Sequence, residues 1–177
     1  MEMQECILTR RSVRRFTEEA VSHETLEKLI GLAAYAPSWK NTQISRYIAV
    51  EDPEKLAVIC EEFAPFNARV IGGCKTLIAQ TFVKSRSGFE RDGSFSTDRA
   101  AGWQYYDCGI AAQTLCLAAH EMGLGTVIMG IFDRPGLERY LDVPADQELM
   151  ALIAIGYPAE TPMTPKRKDV ETLLSYR

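Results

Sequence analysis

The chain has 177 residues, of which 46% are hydrophobic and 25% charged, and its net charge is −4. This length and composition indicate one globular domain over residues 1–177 and exclude disordered, collagen-like and disulfide-dense proteins. A negative net charge argues against general nucleic-acid binding.

The N-terminus and the cysteines indicate where such a chain works. The first six residues carry two acids, unlike a signal peptide, and no apolar run approaches the ~18 residues of a membrane span. The five cysteines are scattered, without a Cys-x-x-Cys pair or a Cys/His cluster. We therefore expect a cytoplasmic protein with no membrane partner and no metal site.

The chain opens with two predicted helices and a polar loop. A short helix is expected over residues 2–9. Ser22 can cap a second helix, whose apolar residues recur at helical spacing until Pro37. The segment 37–43 is polar and is expected to be a loop.

A strand and a helix follow the loop. Residues 46–50 are aromatic and β-branched enough to predict a strand. Asp52 and Pro53 have the order of an N-cap and a first helical residue, and they predict a helix to about residue 63. Residues 64–74 favour no single structure.

The middle of the chain contains a second strand, a long loop and the longest helix. Residues 76–83 predict a strand, and the polar segment 84–98 predicts a loop near the upper limit of ordinary loop length. Residues 99–122 predict a helix that is apolar on most sides and therefore central. Gly123 and Gly125 are expected to end it.

The last third alternates strands and a helix. Residues 126–132 and 149–155 are continuous apolar runs, typical of strands buried on both faces, with a helix at about 135–142 between them. Residues 158–168, rich in Pro, Lys and Arg, are expected to be an extended tail. The sum is one sheet flanked by helices.

Arginine is concentrated in one short segment. Four of the thirteen arginines lie between residues 10 and 15, and Ser12 adds a hydroxyl group among them. Guanidinium groups suit a phosphate, and the second basic group, residues 166–168, could bind the same anion. The alternative is a solvated basic surface.

The loop 37–43 carries hydroxyl and amide groups together with Trp39. These groups can hydrogen-bond and stack on a flat heterocycle, although a polar helix-to-strand connection would look the same. Met129 and Gly130 are either strand interior or a place where a ligand approaches the backbone. His23 and His120 have no triad or metal partner at a useful spacing, so no catalytic side chain is predicted.

Five motifs follow one another along nearly the whole chain. They are Arg10-Arg11-Ser12-Val13-Arg14-Arg15-Phe16, Ala36-Pro37-Ser38-x-x-Asn41-x-Gln43, Asp107-x-Gly109-x-Ala111-x-Gln113, Gly123-Leu124-Gly125, and Ile155-Gly156-Tyr157-Pro158 with a basic tail. This series resembles the nitroreductase family of FMN-dependent oxidoreductases. The resemblance implies an α+β fold, a central mixed or antiparallel sheet sandwiched by helices, in an intertwined homodimer with FMN at the subunit interface.

The resemblance also implies roles for particular residues. Around the phosphate and ribityl side of FMN it places Arg10, Ser12 and Arg14 with Lys166, Arg167 and Lys168, and Arg11 belongs to the same motif. It implies that Pro37, Ser38 and Asn41, with Gln43 beside them, reach the flavin from the partner subunit. Met129 and Gly130 are implied to lie beside the reactive edge of the flavin.

The activity expected from this resemblance is transfer of hydride from NADH or NADPH to FMN and on to a small electron-poor acceptor, a nitroaromatic or a quinone. The flavin then performs the chemistry. The alternatives are an FMN-binding or structural dimer without turnover, and a dehalogenating or flavin-fragmenting member of the same fold. The 84–98 loop either sets acceptor specificity or is an insertion without a role.

Overall fold

Four strands form one antiparallel sheet at the centre of the computed structural model, which describes residues 1–177. The strands are β1 (Ser45–Val50), β2 (Thr76–Val83), β3 (Gly125–Met129) and β4 (Gln147–Gly156). Their order across the sheet is β1-β2-β4-β3, so β2 and β4 are central. The two central strands are almost wholly buried, as the continuous apolar run 149–155 predicts for β4.

Seven helices surround this sheet. They are α1 (Met3–Thr9), α2 (His23–Ala33), α3 (Pro53–Val58), α4 (Ala68–Ile71), α5 (Gly102–Glu121), α6 (Arg134–Tyr140) and α7 (Val170–Leu173). The predicted order of helices and strands is confirmed, with α4 and α7 as short additions. None of these helices combines the length and the apolarity that crossing a membrane requires.

The two faces of the sheet bury separate apolar clusters. Leu77 and Ala79 of β2 join a cluster with residues of α3 and α6, whereas Ile78 between them joins a cluster with α2 and α5. This alternation follows from the two-residue repeat of a strand. The expected α+β sandwich is therefore confirmed.

Three predicted elements differ from the structure in helix type or in length. The helix from Pro53 continues beyond Val58 as a π-helical turn, Ile59–Phe63, instead of an α-helix. The helix α5 begins at Gly102 because Ala100, with φ of 49°, interrupts regular backbone before it.

The strand β3 ends at Met129 rather than at residue 132, and it is an edge strand. Its Ile128 is 46% exposed, so the expectation that this run is buried on both faces was wrong for β3. Beyond β3 there is no further strand, only a single bridge at Thr126, so the part of β3 that contains Ile128 is left uncovered.

Candidate cofactor site

The arginine segment, residues 10–15, lies along the edge of the sheet beside β3. Ser12 bridges Thr126 in parallel orientation, and the backbone N–H of Val13 donates to the Thr126 carbonyl at 3.0 Å. A Cβ atom on Gly125 would lie 2.7 Å from the Val13 side chain, so only glycine allows this approach. Gly125 therefore serves to seat the arginine segment, while Gly123, with φ of +80°, follows the end of α5.

The four arginines of this segment have different partners. Arg11 donates to the carbonyl oxygens of Leu8 and Arg10 at 2.8 and 2.7 Å, and Arg15 donates to the Glu160 carboxylate at 2.8 Å. Arg10 and Arg14 take part in no ion pair. Two guanidinium groups of the segment are thus available to an anion.

The C-terminal tail is attached to the arginine segment at three places. The Ala159 N–H donates to the Arg15 carbonyl at 2.9 Å, Glu160 accepts from the Arg14 N–H at 2.8 Å, and Thr164 Oγ1 accepts from Arg11 at 2.7 Å. The hydrogen bond from the Arg14 N–H, followed by that from Arg15, lowers the pKa of Glu160. Beyond Thr164 the cationic side chains of Lys166, Arg167 and Lys168 are exposed and unpaired.

The loop 37–43, called here the amide loop, has an unusual backbone. Lys40, Asn41 and Gln43 have φ of 44°, 56° and 49°, the left-handed region that residues other than glycine rarely adopt. The Ser38 hydroxyl accepts from the Gln43 N–H at 2.9 Å, and the Gln43 and Asn41 side-chain amides lie 3.2 Å apart. Such a conformation persists only where surrounding contacts impose it.

Contacts from α5 and from the 84–98 loop hold the amide loop. The buried Asp107 carboxylate accepts from the Trp39 N–H at 3.1 and 3.0 Å, and the Trp39 and Trp103 rings lie 4.5 Å apart. Lys40 pairs with Glu90 at 2.9 Å. The loop 84–98 is itself folded, since Phe89 and Phe95 form an antiparallel bridge with their rings 4.9 Å apart.

The segment after β3 is also fixed from outside. Met129 is buried and Gly130 is exposed, and the Asn67 side chain donates to the Ile131 carbonyl at 2.8 Å. The Asp133 N–H donates to the Phe63 carbonyl at 2.7 Å. Two residues that precede α4, Phe63 and Asn67, therefore hold the chain that follows Gly130.

Within one chain the predicted site residues form two groups, at opposite ends of α5. The arginine segment follows α1, which contacts α5 through Cys6 Sγ on the Leu117 carbonyl and through Thr9 on His120. The amide loop contacts α5 at Asp107. Asp107 and His120 are 13 residues apart, about 20 Å along a helix.

Several residues that shape the site carried no predicted role. In the sequence Asp107 is only one residue of a motif, and Ser87, Glu160, Thr164 and Asn67 belong to no motif. Of these residues only Glu160 has a local sequence signal for its contact. It is a single acidic residue in an otherwise basic tail, which indicates a cationic neighbour. The other contacts join segments far apart in sequence and leave no local pattern.

The residues present fit the phosphate-bearing end of FMN. A concavity of about 440 Å³ lies beside the arginine segment and is lined by Arg14, Arg15, Arg69, Val70, Glu160 and Pro162. Its cations outnumber its one carboxylate, and Arg14 and Arg69 have no acidic partner. An excess of unpaired guanidinium groups beside a polar cleft suits a dianionic phosphate.

Known proteins share this sequence and fold. The family model described as the Nitroreductase family matches residues 7–157. A protein of Methanothermobacter thermautotrophicus, provisionally named NADH dehydrogenase/NAD(P)H nitroreductase, is 32% identical over 168 residues, covering 93% of this chain and 81% of its own. An iodotyrosine deiodinase of Thermotoga neapolitana is 27% identical, with 94% and 93% of the two chains covered.

A solved structure gives the cofactor of one relative. A protein of Desulfovibrio desulfuricans, provisionally called a nitroreductase and crystallised in complex with FMN, is 28% identical. It superimposes with a TM-score of 0.75 over 98% of this chain and 95% of its own.

Proposed function

Because the chain belongs to the nitroreductase family, we propose that it is an FMN-dependent oxidoreductase that carries hydride from NADH or NADPH to a small electron-poor acceptor. Nitroaromatics and quinones are the acceptor classes we propose. The observation that carries the proposal is the arginine segment, in which Arg10 and Arg14 make no ion pair and Arg14 lines a polar cleft together with Arg69.

The chain's contribution to the phosphate end is charge and position. Arg10, Ser12 and Arg14 alternate along an extended segment, so their side chains share one side of it. Thr164 accepts from Arg11, so the exposed tail that follows it starts beside the arginine segment. We propose that the cations of this tail, Lys166, Arg167 and Lys168, contribute to the phosphate site.

The flavin end requires a second copy of the chain. The amide loop and the arginine segment are about 20 Å apart along α5, on opposite halves of the helix. In a two-fold dimer the amide loop of one subunit can meet the arginine segment of the other. The face of α5 that carries Tyr106, Gly109 and Gln113 is exposed in the single chain and is available to such a partner.

In this arrangement FMN supplies the hydride chemistry, and the protein supplies binding and orientation. Arg10 and Arg14 bind the phosphate side, and the amide groups of Asn41 and Gln43 offer hydrogen bonds to the heterocycle edge. Asn67 fixes the backbone at Gly130, where the absence of a side chain leaves room for a flat ring. No acid or base side chain is assigned to the hydride step.

The test uses purified full-length protein. We expect a yellow protein with one FMN per chain, whose flavin absorbance at the long-wavelength band is bleached by NADH or NADPH under anaerobic conditions and restored by the acceptor. A panel of nitroaromatics, quinones and halogenated phenols then identifies the acceptor. Protein that retains no FMN contradicts the proposal.

Two other outcomes identify the alternatives. A yellow protein that neither nicotinamide reduces is a flavin-binding dimer without turnover. Halide release from a halogenated phenol by the reduced protein, without reduction of quinones, would place it with the dehalogenating members of the fold; an iodotyrosine deiodinase is among the relatives of this chain in sequence.

A further inference from the structure

One buried carboxylate holds both ends of the left-handed turn in the amide loop. Asp107 is 3% exposed, and it accepts from the Trp39 N–H and from the hydroxyl of Ser87, which is fully buried. The Ser87 oxygen lies 2.6 Å from Thr42 Oγ1. Trp39 precedes the Lys40–Asn41 turn and Thr42 follows it, so the same carboxylate reaches one end directly and the other through Ser87.

The direction of this hydrogen-bond chain follows from its chemistry. An ionised carboxylate only accepts, so the Ser87 hydroxyl donates to Asp107. The Thr42 hydroxyl therefore donates to Ser87, whose own proton is already used. The chain runs from Thr42 to Ser87 to Asp107, and no cation lies in ion-pair contact with its end.

This chain joins three separate parts of the fold. Thr42 belongs to the amide loop, Ser87 to the 84–98 loop, and Asp107 to α5. The helix is the rigid element among them because its buried face packs against the sheet and α2. A displacement of either loop must break a hydrogen bond to the other, since both end on one carboxylate.

We propose that Asp107 is a positioning residue for the flavin: it holds Asn41 in the left-handed conformation in which the amide loop meets the partner's flavin, and it couples the 84–98 loop to that position. The inference rests on the proposed function and adds a residue to it. In this role Asp107 contacts neither flavin nor acceptor, because its carboxylate oxygens already accept from Trp39 and Ser87.

Substitution of Asp107 separates position from charge. Asp107→Ala removes the acceptors for Trp39 and Ser87, so the amide loop leaves its binding-competent conformation and apparent FMN affinity falls in proportion to the competent fraction. We expect a loss of about tenfold to a hundredfold, since the hydrogen bonds from two donors to a charged group are lost. Asp107→Asn can still accept from Trp39 and can donate to Ser87, whose proton then turns to Thr42, so we expect affinity within about threefold of wild type.

A matched control distinguishes this role from general destabilisation. Gln80 is also buried and donates to the Cys108 carbonyl of α5 at 3.0 Å, next to Asp107 but away from the loops. Gln80→Ala should lower the melting temperature and leave the FMN dissociation constant within about twofold. Thr42→Val, which removes the last donor of the chain, should lower FMN affinity by about fivefold.

The decisive measurement is an FMN titration, followed by flavin fluorescence, across a double-mutant cycle of Asp107→Ala and Asn41→Ala. Because Asp107 acts through the loop that carries Asn41, the two affinity losses should not multiply. We expect the double variant to bind FMN as tightly as the single variant that has the lower affinity. Losses that multiply, an Asp107→Ala variant within threefold of wild type, or an equal loss in Gln80→Ala would overturn the positioning role. Wild-type protein that binds no FMN would instead contradict the proposed function, and the role of Asp107 would fall with it.

Discussion

Removing either unpaired guanidinium of the arginine segment should weaken FMN binding without unfolding the protein. Arg10 and Arg14 make no ion pair in the chain, so alanine at these positions breaks no internal salt bridge. A hydrogen bond to a charged group contributes about 1.5–3 kcal/mol, and truncation should cost about that much binding free energy at each position. The corresponding loss of FMN affinity is about 10- to 150-fold.

Two arginines serve as controls because their charges are already engaged. Arg15 is in the same segment but pairs with Glu160 at 2.8 Å, and Arg134 is distant and pairs with Glu138 at 3.2 Å. FMN titration of apo-protein at two salt concentrations should show the large loss, and a reduced salt dependence, only for Arg10→Ala and Arg14→Ala. Equal losses in Arg134→Ala would refute an anion site in the arginine segment.

Four further predictions follow from contacts around the two half-sites. Gly125→Ala should cost about 1–3 kcal/mol of unfolding free energy, measured by denaturant, and should weaken FMN binding, because the new methyl group displaces Val13; a neutral result would show that the arginine segment is not seated there. Sedimentation should find a homodimer, and a monomer with stoichiometric FMN would exclude a partner-delivered amide loop. Replacing residues 91–96 by a Gly-Ser turn, with Ser87 and Glu90 retained, should preserve FMN affinity and change the kcat/KM ranking of quinones and nitroaromatics; an unchanged ranking would leave the 84–98 loop without a role in specificity. Because its folded-state pKa is lowered, Glu160 should hold the tail at neutral pH and release it as pH falls below the ordinary glutamate range, seen as a loss of hydrogen-exchange protection after Ala159 once rates are divided by the intrinsic rate at each pH; equal protection at pH 7 and pH 3 would contradict this.

The sheet could be predicted from sequence because its strands depend on local pattern. The run 149–155 is continuously apolar and the run 76–83 is rich in apolar and β-branched residues, and the structure has both as buried central strands. Caps were equally local: Ser22 accepts from the Thr25 N–H and Asp52 from the Glu54 N–H, as their positions before helices indicate. Where the contacts that determine an element all lie within one short stretch of the chain, the sequence of that stretch is enough to predict the element.

The conformation of the amide loop could not be predicted in this way. Lys40, Asn41 and Gln43 adopt left-handed backbone although none is glycine, and local preference opposes that conformation. The contact that imposes it comes from Asp107, 68 residues beyond Trp39. The edge position of β3, which exposes Ile128, likewise depends on strand order rather than on the composition of the strand.

The position of α5 explains why the motifs of the two half-sites lie in separate parts of the chain. A helix of 20 residues spans about 30 Å, and its two halves carry the supports of the two half-sites, Asp107 for the amide loop and the α1 contacts for the arginine segment. One chain therefore builds both halves rigidly but cannot close them on each other. A two-fold partner closes both pairs at once, so each α5 would fix the separation between two equivalent sites. Under this arrangement, a substitution at Asp107 acts on the flavin held by the partner's arginines, and heterodimers carrying Asp107→Ala in one chain and Arg14→Ala in the other should retain one intact site.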